Sequence, residues 1–397
     1  MKKKMMITCT VVLVTAAVIL GFVLKNQVRE NPDKNTVNVA IGQWGTTQNE
    51  SQNYWNPDNH AVAKGMGGYY FIQTTDGISK IAFFDETTKE AVAVCAKPEC
   101  THSDNTCNAY LCDMKQTGSA LYLTDTIYCY NDYLYLIQCE GGMGKLVRIH
   151  TDGSARETIA DLFANTGVSS ISLVFHENDV YAYDDTGHAG QEEEAEEVIK
   201  KISLTDGTEQ TVFSYTGTGA SIDRGRSFGD KLYFVIREYT KNKETKAVSS
   251  DYKGLFEYDF ATGDTRKVID ADVCDYHADT ENQTLFYFVQ GTGLYAYDMT
   301  QGSNTLIYPA EDELIQCKMS YDGKNLYLFN NGAGRATETK TRIQRYCYVL
   351  DTKGNQIAKI LCNGVVYFGD TDYLFEENGD NLEYMKKKIC QINLSGF

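Results

Sequence analysis

A short strand motif centred on tyrosine or phenylalanine recurs along this chain and limits its fold more than any other feature. In each copy a polar turn leads into alternating side chains, a period of two that is typical of a strand with one buried face. The copies lie at 68–71 (GYYF), 132–135 (DYLY), 179–182 (DVYA), 231–234 (KLYF), 285–288 (LFYF), 325–328 (NLYL) and 372–375 (DYLF). The chain therefore contains seven related units.

The spacing of these motifs indicates how large each unit is. It ranges from 40 residues (Tyr287 to Tyr327) to 65 residues (Tyr70 to Tyr135), and most intervals are near 50. A further strand follows most motifs, at 78–85, 145–149, 199–204, 254–259 and 293–298, and several of these end in hairpin turns such as Asp152-Gly153 and Asp206-Gly207. Third strands are predicted at 266–269 and 356–361. Units of about this size are typical of four-stranded propeller blades.

We therefore predict an all-β fold, a β-propeller over residues 65–397 with about seven blades, six or eight also being compatible. The composition agrees, because 28 Tyr, 17 Phe and 33 Gly with 4 Pro favour strands joined by turns. A formal net charge of −17 argues against a nucleic-acid partner, which would require a basic surface. The acidic run at 192–197 is interpreted as a solvated loop.

The N-terminus has the pattern of a membrane anchor. Lysines at positions 2–4 precede an uncharged stretch at 5–24, long enough to cross a bilayer as a transmembrane helix. Because no small-residue cleavage pattern lies near its end, an uncleaved signal anchor is favoured over a removed signal peptide. Residues 1–25 are predicted to be a cytoplasmic tip and anchor, which places the C-terminal domain outside the cell membrane in a single-pass topology.

A polar tether is predicted between the anchor and the propeller, over residues 26–64. It is rich in Asn, Gln, Thr and Asp and has no sustained apolar period. Trp44, Tyr54 and Trp55 are the exceptions, and we expect them to dock the tether onto the folded domain, with ligand stacking as an alternative.

A cysteine-rich loop at 95–112 is the one candidate site that the sequence offers. Cys95, Cys100, His102 and Cys107 supply the donor set of a tetrahedral zinc site, which leaves Cys112 spare. The spacing matches no common zinc module, however. Two local disulfides that include Cys112 are the competing interpretation for an exported protein, and free thiols are a third.

The repeats, the single N-terminal span and the passage 95–110 (CAKPECTHSDNTCNAY) together resemble a group of uncharacterised, propeller-like, membrane-anchored surface proteins of clostridia-type bacteria, in which a domain of unknown function recurs. The resemblance covers roughly residues 65–397, and only the cysteine passage is specific. It implies the fold and the location but no activity.

No linear catalytic motif is present: Gly-x-Ser-x-Gly, His-Glu-x-x-His and phosphate-binding glycine loops are all missing from the sequence. Three hypotheses for the function follow. The favoured hypothesis is a binding or scaffolding module at the cell envelope, for a protein, peptide or carbohydrate ligand that the sequence does not identify. The alternatives are a glycan-acting hydrolase or lyase with carboxylates from several blades, and a metal- or redox-linked sensor that uses the cysteine loop. An enzyme is thus less favoured but still open.

Overall fold

The structure is a computed structural model, and it describes residues 39, 41, 44, 62–113, 121–164, 171–184, 194–241, 248–330, 344–367, 373–379 and 387–393. In these ranges the chain forms strands and turns. None of the described segments is a helix of the length and apolarity that a membrane crossing requires. The predicted anchor at 1–25, Tyr54, Trp55 and most of the tether lie outside the described residues.

Twenty-eight strands form a series of antiparallel sheets in chain order. The first sheet contains β1 (Val62–Gly65), β2 (Gly68–Thr75), β3 (Ile78–Asp85), β4 (Ala91–Ala93) and β5 (Tyr110–Asp113). The second contains β6 (Leu121–Tyr130), β7 (Tyr133–Glu140), β8 (Met143–His150) and β9 (Glu157–Ala164). The third contains β10 (Ile171–His176), β11 (Asp179–Asp184), β12 (Glu194–Ser203) and β13 (Glu209–Thr218). Within a sheet each strand pairs with the next one in the chain, except that β5 pairs with β3, and this is the order expected of propeller blades.

The same order continues through the C-terminal half. The fourth sheet contains β14 (Ser221–Phe228), β15 (Lys231–Lys241), β16 (Val248–Asp259) and β17 (Thr265–Ile269). The fifth contains β18 (Val273–Asp279), β19 (Thr284–Val289), β20 (Gly293–Asp298) and β21 (Ser303–Pro309). The sixth contains β22 (Lys318–Tyr321), β23 (Asn325–Phe329), β24 (Arg345–Asp351) and β25 (Gln356–Cys362). The last contains β26 (Val365–Tyr367), β27 (Tyr373–Gly379) and β28 (Lys387–Asn393).

The β-propeller class predicted from the sequence is confirmed, but the structure supports six blades where about seven were predicted, six being the smaller of the two alternatives. Six sheets have four or five strands and are complete blades, whereas the last sheet has three described strands. The predicted tyrosine motifs all lie in the second strand of a sheet, not the first. The propeller begins at Val62, slightly before the predicted boundary at residue 65.

The strands that precede the tyrosine motifs form the inner ring of the propeller. β1 lies against β6, β10 against β14, and β18 against both β14 and β22. Their residues are largely buried, and every residue of β14 and β18 is buried. Side chains between adjacent sheets form the core, as where Tyr135 of β7 packs against Phe175 of β10. The ring closes where Phe375 of the last sheet packs against Tyr69 of the first, with ring centroids 4.8 Å apart.

A buried carboxylate joins three blades at the inner ring. Asp275 of β18 accepts hydrogen bonds from the Arg226 guanidinium of β14 at 2.7 Å and from the Met319 amide of β22 at 2.8 Å. Asp275 is fully buried and Arg226 is 1% exposed. Asp223 of β14 pairs in the same way with Arg237 of β15 at 2.8 Å. Since buried charges are stable only when they are paired, these groups hold the inner strands in register.

The docking role predicted for Trp44 agrees with its position. Its indole N–H donates to the Tyr233 hydroxyl at 2.9 Å and its backbone N–H donates to the Gln283 side chain at 2.7 Å. Trp44 is buried, and Val39 forms a bridge with Ile269 of β17. This part of the predicted tether therefore packs on the fourth and fifth sheets.

One contact between neighbouring blades recurs in three of the described blades. In each of them, the turn between the third and fourth strands places a glycine with positive φ against the outer edge of the preceding blade. A Cβ added to Gly207 would lie 2.4 Å from the Ile159 carbonyl oxygen, and one on Gly354 would lie 2.1 Å from that of Ile307. Gly153 of the second sheet occupies the equivalent position, and there the close neighbour is the backbone of Cys95.

Candidate metal centre

The cysteine loop interrupts the outer strand of the first blade. β3 pairs with β4 along one half and with β5 along the other, so both segments share one ladder. The Val94 amide donates to the Ile81 carbonyl oxygen at 3.1 Å, and the Ile81 amide donates to the Ala109 carbonyl oxygen at 2.9 Å. Residues 94–109 thus leave and rejoin the ladder at one residue of β3. This arrangement draws the two ends of the loop together.

The loop brings the four predicted ligands into one cluster. The sulfur atoms of Cys95, Cys100 and Cys107 and a ring nitrogen of His102 all lie within 4.8 Å of one another. Around a tetrahedral zinc ion with bonds of about 2.3 Å, sulfur ligands are roughly 3.8 Å apart. A contraction of about 1 Å at most would bring the cluster to that geometry.

Tight turns position these side chains. The Cys100 amide donates to the Lys97 carbonyl oxygen at 3.3 Å, and the Cys107 amide donates to that of Asp104 at 3.1 Å. His102 lies between these turns with φ of 57°, in the left-handed region that reverses the chain. Its Nδ1 lies 3.2 Å from the Cys107 sulfur.

Backbone amides also point at the Cys95 sulfur. Burial by itself would raise the pKa of Cys95, but hydrogen bonds from the amides of Lys97 and Asn108, and from the neighbouring thiols, outweigh it and lower that pKa. Amides that donate to sulfur stabilise a thiolate, which is the form that binds metal.

Cys107 is more deeply placed and behaves differently. Burial and the hydrogen bond with Cys100 raise the pKa of Cys107 to about 11, although the nearby backbone amides of Tyr110 and Ala109 act in the opposite direction. A bound cation would displace this proton, so metal binding at the cluster would release protons.

The other cysteine of the loop lies apart from the cluster. Cys112 belongs to β5, where it pairs with Ser79 of β3, and burial raises the pKa of its thiol. Cys95, Cys100, Cys107 and Cys112 form no disulfide in the structure.

Sequence patterns missed several charged residues that the structure buries. Glu197 falls in the acidic run that was expected to be a solvated loop, but it belongs to β12 and is 5% exposed. Burial, with the nearby charges of Asp184 and Asp223, raises the pKa of Glu197 to about 8. Arg226 and Asp275 were also missed. The sequence does contain one indication of these residues. Segment 221–228 has the length of a strand but carries charged residues, whereas a core strand is normally apolar.

Comparison with known proteins gives a likeness in fold. No protein-family model matches the chain, and no curated protein matches it. Among solved structures, an oligogalacturonate lyase in complex with manganese superposes with a TM-score of 0.52 at 11% identity, over 90% of this chain and 96% of that one. BamB from Moraxella catarrhalis is a more distant match, with a TM-score of 0.40 at 10% identity over 85% of this chain and 97% of that one. The first likeness supports the propeller fold alone.

Proposed function

We propose that this protein is a membrane-anchored β-propeller that acts as a binding or scaffolding module outside the cell membrane, and that its first blade carries a structural zinc centre. The observation that carries the zinc assignment is the clustering of Cys95, Cys100, His102 and Cys107, whose ligand atoms lie within 4.8 Å of one another.

The donor set favours zinc over manganese, the metal in the oligogalacturonate lyase complex. Three cysteine sulfurs and one imidazole are soft or intermediate ligands, which suit Zn²⁺, whereas Mn²⁺ prefers carboxylates, carbonyls and water. Four protein ligands fill a tetrahedral coordination sphere and leave no position for a substrate or an activated water. This supports a stabilising role for the metal in preference to catalysis.

The metal assignment is tested on the full chain, purified in detergent with reductant and without chelator. Elemental analysis is expected to find about one zinc per chain, and Cys107→Ser to reduce this to background. Cys112→Ser is the matched control because Cys112 lies in the adjacent strand outside the cluster, and it should retain the metal. A metal-free chain, or equal loss in both variants, would contradict the assignment.

The binding role rests on the fold and on the predicted anchor. Propellers present loops at both ends of their blades, and the inner-strand carboxylates Asp275 and Asp223 are engaged in ion pairs with Arg226 and Arg237. This supports recognition by end loops more than chemistry in the channel. The ligand class stays open between an envelope protein, a peptide and a carbohydrate.

The location and the binding role are tested together in cells. Protease added to intact cells stripped of their wall should digest the propeller but spare the N-terminal lysines, as the predicted topology requires. Crosslinking in intact cells followed by purification of the full chain should recover an envelope component reproducibly. Protection from external protease would refute the location, and no crosslinked component would count against the binding role.

A further inference from the structure

The second blade touches the cysteine cluster through one turn. Gly153, at the β8–β9 turn, packs so closely on the loop that a Cβ there would lie 2.7 Å from the backbone N and Cα of Cys95. Gly207 and Gly354, in the equivalent turns of two other blades, contact ordinary strand backbone at Ile159 and Ile307. Only here, within the described blades, does this repeated contact meet a residue of the cluster.

The same turn holds one of the peptides that donate to sulfur. The Asn108 amide donates to the Cys95 sulfur. The side-chain amide of Asn108 donates in turn to the Gly153 carbonyl oxygen at 2.6 Å. The backbone group that faces Cys95 is therefore oriented from the second blade.

Arg156 holds the loop where it returns to β5. The Tyr110 amide donates to the Cys107 carbonyl oxygen at 3.2 Å, and the Tyr110 carbonyl oxygen accepts a hydrogen bond from the Arg156 guanidinium at 2.6 Å. Arg156 is partly buried, and its charge interacts with that of Cys107. A guanidinium beside this loop thus both orients a peptide and places a positive charge near the sulfurs.

The charge of a loaded centre makes this position significant. Zn²⁺ with three thiolates and a neutral imidazole carries a net charge of −1. Lys97, whose ammonium group donates to the Thr106 carbonyl oxygen, is exposed and therefore strongly screened by solvent. Arg156 is less exposed, so its interaction with the centre is less screened.

We infer that Gly153, Asn108 and Arg156 form an outer support of the metal centre, in which Arg156 balances the negative charge and holds the loop at the Tyr110 carbonyl oxygen. This inference rests on the zinc centre proposed above. Such outer partners of metal ligands typically change metal affinity by about 10- to 100-fold when they are removed. Metal binding at the first blade would then depend on its contact with the second.

The experiment measures zinc affinity of the full chain in detergent by competition with a chromophoric chelator. Arg156→Gln is expected to bind Zn²⁺ about 10- to 100-fold more weakly than the wild type, and Arg156→Lys to recover part of the loss because it restores the charge. Arg148→Gln is the matched control. Arg148 lies in the same blade but donates to Glu157 and to the Leu204 carbonyl oxygen of the third blade, so its loss should change affinity less than about threefold.

A spectroscopic readout separates orientation of the sulfurs from a general loss of stability. In the Co²⁺-loaded chain, the sulfur-to-cobalt charge-transfer band of Arg156→Gln should shift to longer wavelength, since loss of the positive charge near the sulfurs raises the energy of the thiolate electrons. Arg148→Gln should leave the band unchanged. If Arg156→Gln does not fold, Asn108→Ala takes its place, with an expected loss of about tenfold.

The two proposals fail in different ways. A wild-type chain that binds no zinc would refute the metal centre itself. A wild-type chain that binds zinc tightly, with Arg156→Gln within threefold of it and an unchanged cobalt spectrum, would leave the metal centre intact and overturn the supporting role of the second blade.

Discussion

Replacing Asp275 with Asn tests whether the inner ring is held together by buried charge. The Asp275 carboxylate accepts from Arg226 and Met319 on the two flanking blades, and from the Tyr276 amide at 2.8 Å. An asparagine loses the charge and directs an NH₂ group at one of these donors. The Arg226 guanidinium, 1% exposed, is then left without its ionic partner.

The expected cost follows from this burial. Removing one member of a buried ion pair destabilises proteins by about 3–5 kcal/mol, mostly because the remaining charge is uncompensated. Asp230→Asn is the control, since Asp230 pairs with Lys231 at 3.1 Å but its side chain is 59% exposed. Exposed pairs of this kind contribute about 0–1 kcal/mol. The two variants should therefore differ by at least about 2 kcal/mol.

Urea unfolding of the full chain in detergent, followed by circular dichroism, measures both free energies. The double variant Arg226→Met/Asp275→Asn should be less unstable than the sum of the two single variants, because it removes the unpaired charge. If Asp275→Asn costs less than about 1 kcal/mol, or no more than Asp230→Asn, the inner ring does not depend on this pair.

Two further predictions concern Glu197 and Trp44. The folded state raises the pKa of Glu197 to about 8, so the folded protein holds the Glu197 proton more tightly than the unfolded chain does. The free energy of unfolding should therefore fall as pH rises from about 4.5 to about 8, by at most roughly 1.4 kcal/mol per pH unit. Urea midpoints across this range should show a weaker dependence in Glu197→Gln, and equal slopes would contradict the burial of this group. Trp44→Ala should lower the free energy of unfolding by about 3 kcal/mol and expose the segment around residue 44 to limited proteolysis. Trp44→Phe loses chiefly the hydrogen bond to Tyr233 and should lower the free energy of unfolding by about 1 kcal/mol. A digestion pattern identical to that of the wild type would refute the docking.

The sequence predicted the second and third strands of the blades well because their aromatic residues alternate with period two. All seven tyrosine motifs lie in strands, and the hairpin turns follow where Asp-Gly pairs indicate them. The inner strands were missed because they do not alternate. β14 contains Asp223, Arg224 and Arg226, which are buried because they pair with charged residues on other strands. A local sequence pattern contains no information about partners that are distant in the chain.

The sequence predicted which residues form the candidate site but not the residues that surround and support it. Four of the residues named from sequence lie together, and Cys112 lies apart as expected. The sequence contains no sign that Asn108 and Arg156 support the sulfurs, because Arg156 belongs to the next blade and meets the loop only when the ring has formed. For Glu197 the sequence pattern was misleading. Its acidic neighbours suggested a solvated loop, but Glu197 lies in the paired strand β12.

The way the cysteine loop joins its blade affects how this protein can be altered. Residues 94–109 depart and return at Ile81, and the neighbouring rungs of the ladder are already complete on either side. A segment of another length or chemistry could replace the residues between Val94 and Ala109 without a shift in strand register, at the loss of the proposed zinc centre and of its contact with Gly153. The first blade thus offers a grafting point, at which a foreign loop could be displayed in place of the metal centre.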